Sequence, residues 1–83
     1  MRTKAIVAGL KNSQKIRVIV DGVGIYMTVK DTDHMFATTK HREAVIFTLH
    51  LIAKDKVTGM GHRVTHYDDH MKSVQVDIQV DLL

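Results

Sequence analysis

Glu43-Ala44-Val45-Ile46-Phe47-Thr48-Leu49-His50-Leu51-Ile52-Ala53-Lys54 is the stretch on which the fold turns, because two secondary structures compete for it. As a helix, it has Thr38 or Thr39 to cap it, Glu43 for its first turn, and Lys54 and Gly59 for its end. Against this, residues 44–52 are rich in β-branched and aromatic side chains, and wound as a helix their apolar groups surround the cylinder. As a strand, Val45, Phe47, Leu49 and Leu51 share one face while Ala44, Ile46, Thr48, His50 and Ile52 share the other. Asp55-Lys56-Val57-Thr58-Gly59 then resembles a hairpin loop that ends on a glycine at positive φ. The strand is the expectation. The alternative is an α+β fold with a helix at about 40–54.

The flanking chain favours strands on both sides. Val74, Val76, Ile78, Val80 and Leu82 alternate without a miss against Ser73, Gln75, Asp77, Gln79 and Asp81. On a strand, that puts five branched apolar groups on one face and polar groups on the other. Before it, His62, Val64 and His66 alternate with Arg63, Thr65 and Tyr67, and Tyr67-Asp68-Asp69-His70 reads as a polar turn. Far upstream, Ile16, Val18 and Val20 alternate with Lys15, Arg17 and Ile19. After Asp21-Gly22, Val23, Ile25, Met27 and Val29 alternate with Gly24, Tyr26, Thr28 and Lys30. Asp-Gly between two such runs signals a two-residue type I′ hairpin. Its register sets Val20 opposite Val23, Val18 opposite Ile25 and Ile16 opposite Met27, with Arg17 beside Tyr26 and Lys15 beside Thr28 on the outer face. A one-residue slip would bring apolar and polar faces together.

Thr3 to Leu10 is β-prone, Lys11 to Gln14 reads as a turn, and Asp31 to His34 as another. Met35 to Ala37 suits a short strand or a plug, with Phe36 and Phe47 assigned to the core. No proline interrupts any ladder. These elements predict an all-β fold, a small antiparallel barrel or sandwich of five to six strands. Residues 1–83 form a single domain, since so short a chain cannot divide into two cored units.

Composition removes several classes of function. With no cysteine there is no disulfide scaffold and no thiolate metal site, which fits a reducing cytosol. No run approaches the ~20 apolar residues of a membrane span, and the apolar stretch Ala5 to Leu10 is too short for a secretory signal. The expected setting is soluble and cytoplasmic, or within a virion if the protein is viral. Residues 1–42 carry eight Lys/Arg against three Asp, whereas residues 43–83 carry four against six Asp/Glu. Basic side chains of the early strands would then face Asp77 and Asp81 across the sheet.

Six histidines raise the question of a metal. His62, His66 and His70 are spaced by four, as in helical zinc pairs, but Gly59, Gly61, Val64 and Thr65 disfavour a helix there. On a strand, His62 and His66 stand about 13 Å apart, too far to share an ion. A group of His66, Asp68 or Asp69 and His70 around the turn is geometrically open, yet surface imidazoles beside a polar turn are commoner. No metal and no cofactor are expected. Nor is catalysis, since Ser13 and Ser73 lack partners and Gly22-Val23-Gly24 and Gly59-Met60-Gly61 lack the spacing of phosphate cradles.

Two non-catalytic functions remain. The first is a β-rich structural or assembly subunit acting through protein–protein contacts, with itself or another protein as partner. A phage or other viral structural component is one setting. Its contact face would include Ile46 and Ile52, on the second apolar side of the 44–52 strand. The alternative is a small single-stranded nucleic-acid-binding barrel, with Lys15, Arg17, Tyr26, Arg63 and Tyr67 forming a basic face that carries stacking rings.

Overall fold

Asp21 and Gly22 close the first hairpin at φ 49° and 84°, the paired positive values a type I′ loop needs. They join β1 (Lys15–Val20) to β2 (Val23–Thr28) in the expected register, with Val18 opposite Ile25 and Arg17 opposite Tyr26. A 3-10 turn (Lys30–Asp33) follows, and its Asp31 carboxylate accepts the Thr28 N–H at 2.9 Å. Then come α1 (Thr39–Asp55), β3 (Gly59–Tyr67) and β4 (Ser73–Leu82). The computed structural model describes residues 7–36 and 38–83.

The strands form one antiparallel sheet in the order β2-β1-β4-β3, and α1 packs on one of its faces. This is an open α+β fold. The all-β barrel or sandwich of five to six strands expected from the sequence does not form, because residues 44–52 are helical. Thr38 caps α1 by accepting the His41 N–H on its hydroxyl at 3.2 Å. At the other end Lys56 adopts the left-handed conformation at φ 55°, and the N–H groups of Lys56 and Val57 both donate to Ile52 O. The left-handed residue of that loop is therefore Lys56 and not Gly59.

The helix buries Val45, Thr48, Leu49 and Ile52, the i, i+3, i+4, i+7 stripe of an amphipathic helix. Thr48 hides the stripe in the sequence, because its hydroxyl reads as polar. Here it donates to Ala44 O at 2.8 Å and packs as though it were apolar. Phe47 conceals the stripe from the other side: it is 58% exposed, so it is not the core residue its chemistry suggested. Ile52 is fully buried, while Ile46 is half-buried on another side of α1. Ile46 and Ile52 therefore do not share one exposed face, as the strand reading expected.

The core is one layer between α1 and the sheet. Ile16, Val18 and Met27 of the first hairpin, Val76, Ile78 and Val80 of β4, and Val45, Leu49 and Ile52 of α1 form one cluster, together with Val7 and Val29. Phe36 packs half-buried against this layer, outside any strand. The expected strand at 3–10 lies largely outside the described residues, as does Ala37. Its described end, Val7 to Leu10, is a turn in which the Leu10 N–H donates to Val7 O. Among the described residues, no helix is long and apolar enough to cross a membrane.

Truncating buried side chains in this layer should cost about 2–5 kcal/mol each. Ile78→Ala and Leu49→Ala are both expected to do so in urea denaturation, whereas Phe47→Ala should cost less than about 1 kcal/mol. Equal losses at Phe47 and Leu49 would restore the strand, since only a strand puts both on one buried face.

Candidate functional site

The helix covers one face of the sheet and leaves the other to solvent. Lys15, Arg17, Tyr26, Arg63 and Tyr67 all lie on that outer face: Arg17 is paired with Tyr26 on one side and Asp81 on the other, and Arg63 with Asp77. The face divides them into two groups. Lys15, Arg17 and Tyr26 occupy the β1–β2 corner, and Arg63 and Tyr67 the far strand. Tyr26 aligns across the sheet with Arg17, Asp81 and Gly59, so Tyr67 lies three strands over and eight residues along. That is about 14 Å by 26 Å, or roughly 30 Å between the two tyrosines.

Both arginines are engaged. Arg17 Nη2 donates to Asp81 Oδ2 at 2.9 Å, and Arg63 Nε donates to Asp77 Oδ1 at 2.8 Å. Gln79 Nε2 also donates to Asp81 Oδ1 at 2.9 Å, which makes a polar row along β4. Gly59 and Gly61 leave room for that row. A Cβ at Gly59 would collide with the Asp81 carboxylate, and one at Gly61 would stand 2.6 Å from Gln79 Oε1. Tyr26 and Tyr67 remain 69% and 66% exposed.

The second surface is the edge of β3. Its nine residues pair one-to-one with β4, so no bulge bends it. It carries one formally charged side chain, Arg63, and no proline. Among the described residues nothing pairs with its outer side. Leu82 N–H donates to Thr58 O at 2.7 Å, while Asp21 N–H donates to Asp77 O on the opposite side of β4. Antiparallel ladders alternate bonded and non-bonded pairs. The even-numbered residues of β3 therefore bond to β4, and the N–H and C=O groups of Gly59, Gly61, Arg63, Thr65 and Tyr67 face outward.

Beside this edge, α1 and β3 enclose a groove of about 400 Å³ whose walls include Ala44, Phe47, His62 and Val64. Phe47 tilts over His62 at 6.0 Å between ring centres, and His41 meets His66 edge-on at 6.2 Å. His62 Nε2 is closed off from solvent with no hydrogen-bond partner among the described residues. Neither the edge nor the exposed Phe47 was recognised from the sequence. The run 59–67, without proline, lysine or acid, suits an inner strand as well as an edge, so it carries no signal of the open side.

Among the described residues, no three His, Asp or Glu side chains converge on a metal position. His62 and His66 lie on the helix side of β3, and Asp68 Oδ1 accepts the N–H groups of His70 and Lys72 to shape the turn. Comparison with protein-family models, curated proteins and solved structures finds no match for the chain.

Three carboxylates lie below their ordinary pKa. Asp31 is lowered by the Thr28 N–H, Asp77 by Arg63, and Asp81 by Gln79 and then Arg17. A carboxyl with a depressed folded pKa adds stability above its unfolded value, roughly 3.9, and loses it as pH falls toward the folded value. The melting temperature should therefore hold from neutral pH to about 5 and decline below about 4. Asp77→Asn and Asp81→Asn should each shallow that decline, as followed by circular dichroism melts. A decline of unchanged steepness in both variants would remove these pairs from the pH dependence.

Proposed function

We propose that the protein is a non-enzymatic structural or assembly subunit that works by protein–protein contact through the open edge of β3. One observation carries this: a nine-residue, bulge-free edge strand with a single charge, lying beside an exposed phenylalanine. Proteins that work alone blunt such edges with lysine, proline, bulges or a covering loop, because unpaired N–H and C=O groups are a template for another strand. Strand addition gives affinity through main-chain bonds and specificity through the flanking groove. The partner is a second copy or another protein, and a cytoplasmic or virion assembly, including a phage or viral one, suits a subunit of this kind.

Thr65→Pro tests the proposal. The Thr65 N–H faces outward, so proline there removes an edge donor and spares the β4 ladder. The native chain should be recovered from cells bound to protein, whether itself or another. The variant should keep its circular dichroism spectrum and lose that association. Recovery of the native chain alone, as a monomer at tens of micromolar, would sink the proposal.

The shared outer face of Lys15, Arg17, Tyr26, Arg63 and Tyr67 favours a second reading, a sequence-tolerant single-stranded nucleic-acid binder. Against it stand the two arginine–aspartate pairs and the ~30 Å between the tyrosines, which leave no continuous stacking track. If it holds, fluorescence anisotropy with a labelled oligonucleotide should show binding that weakens steeply with salt, and Tyr26→Ala should cost about 1–3 kcal/mol. No binding at low salt ends it.

A further inference from the structure

We infer that the partner at this edge is a second copy of the chain, with β3 pairing antiparallel to its own symmetry mate about a two-fold axis at Val64. The inference rests on the contact reading above and adds an occupant and a register to it. A two-fold pairing must set outward-facing odd residues opposite odd residues, so a few registers compete. An axis at Arg63 would place two guanidinium groups directly opposite each other, and like charges so placed are destabilising. An axis at His62 would set Gly61 opposite Arg63 and leave His66 and Tyr67 overhanging. An axis at Val64 pairs residues 61–67 with their mates. Val64 then meets Val64 at the short spacing of a non-hydrogen-bonded pair, Arg63 meets Thr65, His62 meets His66, and Tyr67 lies opposite Gly61, which has no side chain of its own.

The helix explains why the occupant is a whole second copy and not a bare peptide. An added strand alone would satisfy the edge and leave Phe47 in water above it. Helix α1 sits over β3 and β4. Joining two β3 edges at the ordinary strand spacing therefore sets the two helices about 10 Å apart, within ordinary helix-packing distance. The partner's helix then fills the groove. Phe47 is covered, and Ala44, which lines the groove beside Val64, is small enough to allow the approach. The two sheets become one of eight strands, and neither β3 edge is left open.

Single-cysteine variants of the full chain test both occupant and register, because the native chain has no cysteine. A non-hydrogen-bonded antiparallel pair brings its Cβ atoms close enough for a disulfide. Under mild oxidation Val64→Cys should give a covalent dimer as the main product, at least about tenfold above His62→Cys and Arg63→Cys, whose mates lie elsewhere. Light scattering should give twice the chain mass for the native protein and the single mass for Thr65→Pro. Stronger cross-linking at 62 or 63 would overturn the register at Val64. A native monomer at about 100 μM, above the usual range of specific self-association, would overturn the second copy and leave the edge to a different protein. Self-association that survives Thr65→Pro would overturn both the pairing and the contact reading.

Discussion

The apolar face of β4 must be covered, and the rest of the architecture follows from that requirement. Val76, Ile78 and Val80 are each no more than 2% exposed, and they occupy a strand flanked by β1 and β3. Water-exposed, these three side chains would forfeit several kcal/mol, a sizeable part of the marginal stability of so short a chain. A sheet can meet this demand with a second sheet or with helices. One 17-residue helix is about 25 Å long, and its single apolar stripe covers β4 and its neighbour β3. With one α-helix among the described residues, one face is covered by it. The other face has to be soluble by itself.

That need accounts for the outer face. Asp77, Gln79 and Asp81 form its central row, and Arg17 and Arg63 reach them from the flanking strands. Such exposed pairs add little stability, but they satisfy polar groups side by side on a flat surface. Gly59 and Gly61 belong to the same arrangement, since the Asp81 and Gln79 side chains lean over them. Of the two pairs, Arg17–Asp81 joins the basic half of the chain to the acidic half, while Arg63–Asp77 lies within the second half.

The helix is placed asymmetrically over the sheet, and this separates the two edges. At one end β2 runs into the Lys30–Asp33 turn, whose Asp31 caps the Thr28 N–H. At the other, β3 keeps its outward N–H and C=O groups and lies beside Phe47. Phe47, more than half exposed, covers His62 with its ring and adds little to the core. Together with the unblunted edge, it is the feature on which the proposed contact with another chain rests.

The sequence by itself determined every element whose pattern is local. Asp21-Gly22 and the alternation around it set the first hairpin and its register, because period-two patterning and a two-residue turn admit one solution. Ser73–Leu82 was legible as a strand for the same reason, and so was the shared face of Lys15, Arg17, Tyr26, Arg63 and Tyr67, which depends only on parity along paired strands. Residues 44–52 were not legible. Their β-branched content favours a strand locally, and the helical stripe runs through Thr48, whose burial depends on a bond to Ala44 O within the helix itself. Only the finished sheet decided between the two, because its single apolar face needed a cover that one amphipathic helix could supply. The open edge of β3 was equally a tertiary outcome. Whether a strand lies inside a sheet or at its margin depends on strand order, and no residue within 59–67 encodes that order.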